Sequence, residues 1–514
     1  MINLYDYQKD CIKSTETNKK GIICLPTGTG KTYIQAAMIA SDIINNAGKF
    51  NMYVINAPRI ILSFQLLKEV YSFLMDSGIE AQYMAVHSGG SVDMSEMEEI
   101  RWNCNTSGGY GIQFSEIANG TSIDGIKESM DRAKRLKLPL IFFSTYNSAE
   151  RIESARILLG ARPKKISIIM NDEAQYLVQE RFHDILNTLK SDRCYFFTAT
   201  MITTPSDKGR GMNNVESYGK VLFQMSPREA IERGKMVRPR QHFVVSRDNK
   251  NYNSDDFQTS LGHIIEESFI QHTSVLRGRN PKILITVKGV GDIKKFFESK
   301  EYAKLISHSI DIYAVASDES IGNNINGVKT SRQDFLKRLK LDGSNSSKRL
   351  IVLHYDILSE GIDVSGFTGW IPLRTLNKSK FLQNFGRIAR LDPIDRMRLE
   401  SGELKPDQLS EFNKPYAWII IPSIIHENAD TETHIGSLIE ELRDYGFDPR
   451  EHITISDDEM NGLPPIDGPE ALIQIKKKCP NIGIYIEKVE AKYESERRAN
   501  LDPMEWALEI QNYL

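Results

Sequence analysis

Short, continuously apolar runs recur along the chain and alternate with longer amphipathic stretches. A first series comprises Gly21–Leu25, Met52–Ala57, Leu140–Ser144, Ile166–Met170 and Cys194–Thr198. A second comprises Ile283–Val287, Asp311–Val315, Arg349–Leu353, Gly369–Leu373 and Ala417–Ile421. Runs this short, with no polar alternation, suit strands buried on both faces, as in parallel sheets covered by helices. Strands alternating with helical patterns predict an α/β architecture, and two series in tandem predict two such domains. The segment GKMVRPRQ (234–241), with its Gly, Pro and charges, reads as the linker. The domains are therefore expected at 1–235 and 236–425. Residues 88–130, rich in Gly, Ser and acid, read as an insertion in the first domain, and LDGSNSSKR (341–349) as a polar loop before a strand. Helical patterns at Ile435–Tyr445 and Pro469–Lys478 predict a small, mostly helical C-terminal appendage over 426–514.

The strongest local chemistry is LPTGTGKT, Leu25 to Thr32. It follows the apolar run GIICL and opens the helical pattern TYIQAAMIASDII. A glycine-rich turn between strand and helix lets backbone N–H groups converge on a phosphate, and the helix N-terminus adds its dipole. Thr27, Gly28, Thr29 and Gly30 would form that cradle. Lys31 would reach the β- and γ-phosphates and Thr32 would ligate Mg²⁺. The full phosphate-loop signature has a first glycine where this chain has Leu25, so the match is to the TGxGKT core.

A second signal is IIMNDEAQ (168–175), an apolar run ending in two carboxylates. Beside a phosphate loop, Asp172 would hold Mg²⁺, directly or through water, and Glu173 would orient or deprotonate the attacking water.

LPTGTGKT followed by DEAQ resembles motifs I and II of superfamily 2 helicases and translocases of the DEAD/DEAH-like kind, nucleic-acid-dependent ATPases built from two tandem RecA-like P-loop domains with parallel sheets. Other landmarks of that family follow in order. YDYQ (5–8) resembles the upstream glutamine motif, in which Gln8 would read adenine. APRIILSFQ (57–65) and FSTYNS (143–148) resemble the motifs that track a nucleic-acid backbone, which nominates Arg59, Ser144 and Thr145. FTAT (197–200) resembles motif III, which couples hydrolysis to strand movement. KILITV (282–287) falls at motif IV, and with Lys288 nominates Thr286 for strand contact. LSEGIDVSG (358–366) resembles motif V, so Gly361 and Asp363 would touch the ribose or the hydrolytic water. QNFGRIAR (383–390) resembles motif VI, and the resemblance gives Arg387 and Arg390 the role of arginine fingers on the γ-phosphate. Motif II of the family usually ends in Asp or His. Here Gln175 ends it, and its amide could bridge to Thr198 or Thr200. The resemblance spans roughly residues 4–395 and implies ATP and Mg²⁺ as cofactors. It implies nucleic acid as partner, DNA favoured over RNA because the motif texture is closer to phage and restriction-system motors. An RNA helicase, or an ATP-switched nucleic-acid clamp without strand separation, are the alternatives.

Composition narrows this picture. At 514 residues the chain is too long for one core. It carries 65 basic and 68 acidic residues, a net charge of −3, which excludes nucleic-acid binding by bulk charge but fits a strand held in a groove. The cysteines at 11, 24, 104, 194 and 479 form no C-x-x-C pair or zinc-finger spacing, and the ten histidines form no H-E-x-x-H. Reduced thiols and a cytoplasmic location, host cytoplasm if the source is viral, are expected, with no signal peptide and no membrane span. Trp102, inside the insertion, could stack on a base. Targeting is expected from the insertion, the appendage or a protein partner.

Overall fold

The structure is a computed structural model. It describes residues 4–87, 118–205, 209–246, 257–316, 318–355, 366–376, 378–424, 436–440, 442–443, 447–448, 450, 453–457 and 466–499. The chain divides into two compact units, Met1–Met225 and Ser226–Leu514.

The first unit holds strands β1 (Lys20–Cys24), β2 (Met52–Ala57), β3 (Gln82–Val86), β4 (Ala118–Asn119), β5 (Leu140–Thr145), β6 (Ile166–Asn171), β7 (Ser191–Thr198) and β8 (Lys220–Gln224). They form one sheet in the order β4-β3-β5-β2-β6-β7-β1-β8, with every adjacent pair parallel. Both faces are covered, so alternate residues of a strand serve different cores. On β2, Met52 and Val54 pack with Ile126, Met130 and Ile152 of the helices Ile123–Leu136 and Ala149–Ile157. Tyr53 instead donates its hydroxyl to Asp42 of helix α2 (Lys31–Asn45) at 2.7 Å.

The second unit holds β9 (Arg238–Ser246), β10 (Lys282–Thr286), β11 (Ile310–Val315), β12 (Asn323–Ile325), β13 (Val328–Thr330), β14 (Arg349–His354), β15 (Gly369–Pro372), β16 (Tyr416–Ile424), β17 (Ile453–Asp457) and β18 (Ile466–Asp467). Their order is β13-β12-β11-β14-β10-β15-β16-β9-β17-β18. The run from β11 to β17 is parallel, and the two edges are antiparallel. Helices Phe257–Val275, Val290–Glu298 and Lys300–Ser307 bury Phe269, Phe296 and Leu305 against Ile283, Ile312 and Ile351. Trp370 of β15 meets Phe381 of the helix Lys378–Ile388 edge to face.

The structure describes several of these segments in more detail. The supposed linker 234–241 runs into β9, a strand inside the second sheet. Its charge misleads because the Arg240 guanidinium lies 3.9 Å over the Tyr416 ring and pairs with Asp467 at 3.2 Å. The described part of the expected appendage carries helical residues at 436–440 and the helices Gly468–Lys478 and Pro480–Ala499, and it also supplies a strand, β17, that pairs with β9. Of the expected insertion, residues 88–117, including Trp102 and Cys104, lie outside the described residues. Ala118–Asn119 form β4, and the helix Ile123–Leu136 packs on the sheet through Ile126 and Met130, both fully buried. The loop expected at 341–349 is helical up to Ser344. No helix among the described residues is long and apolar enough to cross a membrane.

Candidate nucleotide-binding site

In an open parallel sheet, loops at the carboxyl ends of the strands are the ligand-binding edge. The loops after β1, β6 and β7 emerge there side by side, because β6, β7 and β1 are neighbours.

After β1, Gly28 and Gly30 adopt left-handed φ values of +85° and +78°, which side chains resist. A Cβ at Gly30 would also come within 2.6 Å of Gln8 Nε2. The turn hands the chain to α2, which starts at Lys31. Lys31 Nζ donates to the carbonyls of Leu25 (3.1 Å) and Pro26 (3.5 Å). Thr29 Oγ1 donates to Pro26 O at 2.7 Å. The glutamine motif braces the same turn from outside: Tyr7 OH donates to Thr29 O at 2.6 Å and Gln8 Nε2 does so at 3.4 Å. Gln8 Oε1 accepts from Tyr5 N at 3.0 Å.

After β6, Asp172 is buried. Its backbone N–H donates to Asn56 O at 2.8 Å, and its Oδ1 accepts from Gln35 Nε2 at 2.8 Å. Tyr146 OH closes on its carbonyl at 2.6 Å. Burial pushes the Asp172 carboxyl up to about 7, and the charge of Glu173 adds to the rise. Lys31 and Gln35 pull the other way. A buried carboxyl beside a second carboxylate is short of positive charge. With the half-buried Thr32 hydroxyl it offers the oxygen donors a hard divalent cation takes. Among the described residues no group of three or more His, Cys, Asp or Glu could hold a metal, so phosphate oxygens and water would complete the shell of a Mg²⁺ ion. Glu173 has a left-handed φ of +50°, an uncommon conformation for a non-glycine residue.

Gln175 links this acid loop to the end of β7. Its Nε2 donates to Glu173 Oε2 at 2.7 Å, and its Oε1 accepts from Thr198 Oγ1 at 2.8 Å. The Thr198 hydroxyl also lies 2.7 Å from Thr200 O, and Thr200 N–H donates back to it at 3.0 Å. Thr198 O in turn accepts from Leu25 N at 2.9 Å. Glu173, Gln175, Thr198 and the start of the phosphate loop thus form one hydrogen-bonded series.

In the second unit, Arg387 is buried in the last turn of the helix Lys378–Ile388, and burial lowers its guanidinium to about 10. Arg390 follows two residues beyond, half-buried. Gly361 and Asp363 lie outside the described residues. Lys288 and Arg59 are exposed, Arg59 at the N-terminus of helix α3 (Ile60–Asp76). Three hydroxyls nominated for strand contact are turned inward instead. Ser144 donates to Thr145 O at 2.9 Å, Thr145 donates to Ser148 Oγ at 3.1 Å, and both are buried. Thr286 is buried between His354 (3.1 Å) and the indole N–H of Trp370 (2.9 Å). Sequence reasoning missed Tyr7, Gln35 and Tyr146. Gln35 had a signal: it lies four residues after Lys31, on the same helix face.

Residues 1–203 match the family described as "Type III restriction enzyme, res subunit". No curated protein sequence matches the chain. Among solved structures, it is similar to the ATP-dependent Type ISP restriction-modification enzyme LlaBIII bound to DNA. The identity is 17%, the TM-score 0.65, and 95% of this chain and 33% of that one are covered. It is also similar to a nuclease-deletion mutant of the Type ISP enzyme LlaGI in complex with a DNA substrate mimic, at 19% identity and a TM-score of 0.54, covering 86% and 29%. The chain therefore spans about a third of the length of these two proteins. The family match lies within the first unit, and the likeness to the two enzymes is one of fold, two parallel-sheet units of RecA-like type in tandem.

Proposed function

We propose that the chain is an ATP-driven translocase or helicase that moves on nucleic acid, DNA in preference to RNA. The observation that carries this reading is the hydrogen-bonded series joining the phosphate loop, the Asp172–Glu173 acids and the Thr198–Thr200 segment at one sheet edge. A phosphate loop alone would serve any nucleotide-binding protein. A loop coupled through side chains to a third strand end is a device for passing the state of the γ-phosphate to another part of the fold. In this reading Lys31 and the loop amides hold the phosphates, and Thr32 and Asp172 hold Mg²⁺. Glu173 directs water, and Arg387 and Arg390 supply the positive charge that develops in demand at the γ-phosphate. Mg²⁺, when bound, neutralises phosphate charge. The preference for DNA rests on the restriction-enzyme family match over the first unit and on similarity to two enzymes captured with DNA or a DNA mimic.

The test is steady-state ATP hydrolysis with single- and double-stranded DNA and RNA, followed by strand separation on tailed duplexes. Stimulation by DNA that is abolished in Lys31→Ala and Glu173→Gln is expected. Normal hydrolysis by both variants refutes the site. Tight ATP-dependent binding to nucleic acid with no turnover replaces the motor by a clamp, and stimulation by RNA alone reverses the substrate.

A further inference from the structure

The segment that carries Arg387 and Arg390 is held from behind by groups far away in sequence. Three consecutive carbonyls are occupied. Lys414 Nζ donates to Ile388 O at 2.5 Å and to Arg390 O at 2.7 Å, and Val237 N–H donates to Ala389 O at 2.7 Å. Lys414 lies just before β16 and is 1% exposed. Its own position is fixed in turn. Asp395, fully buried, accepts the backbone N–H groups of Asn413 (2.9 Å) and Lys414 (3.0 Å) on its two carboxylate oxygens. Asp392 pairs with the Arg279 guanidinium and caps the next helix, Pro393–Ser401, through the N–H groups of Ile394 (2.9 Å) and Asp395 (3.3 Å). A lysine ammonium buried this deeply is costly. Burial, and then Arg279, bring it down to about 7, against the pull of Asp392. A cap on an exposed helix end needs no such group: water or a terminal lysine in solvent serves.

We propose that Lys414 is a positioning residue for ATP hydrolysis. Its ammonium fixes the backbone from Ile388 to Arg390, and so sets the direction in which the two arginines project. This rests on the reading that Arg387 and Arg390 act on the γ-phosphate. The carbonyls of residues 388 and 390 point to one donor, so the backbone between them cannot rotate without breaking a charge-assisted bond. A small misplacement of a charge-stabilising group is enough to cost roughly a hundredfold in rate. Lys414 touches no nucleotide in this scheme, so ground-state binding of ATP does not depend on it.

The experiment is a double-mutant cycle on DNA-stimulated ATP hydrolysis by the full chain, with Lys414→Met, Arg390→Ala and the pair. Lys414→Gln serves as the conservative variant, whose amide still donates. Lys414→Met should lower kcat roughly tenfold to a hundredfold, with KM for ATP and DNA affinity changed less than about twofold. Lys414→Gln should recover part of that loss. In the Arg390→Ala background, Lys414→Met should cost clearly less than it does in the parent, because one of the two arginines it directs is already gone. If Lys414→Met does not fold, as judged by thermal melting, the same comparison is made with Lys414→Gln. An unchanged kcat, fully multiplicative effects of the two substitutions, or equal changes in KM and kcat overturn the proposal. A wild-type chain that hydrolyses no ATP with any nucleic acid overturns both this and the proposed function. Wild-type turnover with an indifferent Lys414 overturns this alone.

Discussion

Gln175 occupies the motif II position usually held by Asp or His, and its removal gives a sharp prediction. In Gln175→Ala two bonds go, one to the Glu173 carboxylate (2.7 Å) and one from the Thr198 hydroxyl (2.8 Å). A bond to a charged group contributes about 1.5–3 kcal/mol and a neutral one about 1 kcal/mol. Two features lower the total. Glu173 is half-buried and regains water, and the Thr198 hydroxyl still reaches Thr200 O at 2.7 Å. The net cost is therefore about 1–2 kcal/mol, which for a unit of this size lowers its melting temperature by about 2–8 °C. The rate is more sensitive than the stability. Glu173 sits at a left-handed φ, and Gln175 is the side chain that holds its carboxylate. Freed, the carboxylate samples other rotamers, and kcat for DNA-stimulated ATP hydrolysis falls roughly tenfold or more. KM for ATP stays within about twofold, because Gln175 bonds to the acid loop and β7 and not to the phosphate cradle. Calorimetry and steady-state kinetics on the same preparations check this. A variant that melts and turns over like the parent refutes the inference that the Glu173–Gln175–Thr198 series fixes the acid.

Three further outcomes follow from the structure. Gly30→Ala forces a side chain into a left-handed conformation, at about 1–2 kcal/mol, and places a methyl 2.6 Å from Gln8 Nε2; equilibrium titration should show ATP affinity at least roughly tenfold lower, and parental affinity contradicts the role of the turn. Glu153→Ala strips the partner from Arg156, a buried pair at 2.6 Å, and should cost about 3 kcal/mol in urea unfolding; Glu153→Gln should cost less. His242 and His272 are buried beside Trp418, and burial lowers His242 to about 3 and holds His272 well below the ordinary imidazole range. Below the unfolded value of about 6.5 the unfolded chain binds protons that the folded chain refuses, so stability falls as pH drops from about 6.5 toward about 3. The slope reaches about 1.4 kcal/mol per pH unit for each histidine and vanishes above that window. Urea unfolding at several pH values should give a shallower slope for His272→Phe, which keeps a ring on Trp418, and an unchanged slope removes the histidine from the account.

What could be read in the sequence follows from where each signal is local. β2, β5 and β6 are buried at every position, so their runs are mostly apolar, with few interruptions such as Asn56 and Ser167, and are easily seen. The edge strand β8 is half exposed and carries Lys220 and Gln224, and it leaves no such run. β9 begins Arg238-Pro239-Arg240, a sequence that becomes a strand only because Tyr416 and Asp467 take up the Arg240 charge. The phosphate turn is legible because left-handed backbone at Gly28 and Gly30 is a property of the residues themselves. Hydroxyls at strand ends are not legible in this way. Ser144 and Thr145 close an apolar run and Thr286 lies between Ile285 and Val287, and in each case the oxygen turns into the fold, for Thr286 to His354, a partner that only the packing brings near. Lys414 is the extreme case. No motif surrounds it, and it acts on a segment more than twenty residues earlier in the chain.

The two units hold their candidate catalytic loops with different chemistry, and the difference follows from what is held. In the proposed reading Glu173 directs water, and a cation paired with it would occupy the oxygens that this role needs. The Gln175 amide orients the carboxylate with a single N–H and leaves its charge intact. The segment from Ile388 to Arg390 offers only carbonyl oxygens, which have no charge to lose, so the stronger grip of an ammonium is available there without chemical penalty. The cost falls on the ammonium, which burial and the charges of Arg279 and Arg390 disfavour and those of Asp392 and Asp395 favour. The two carboxylates offset part of that cost, and in the proposed reading this ties the direction of the arginines to the integrity of the whole cluster.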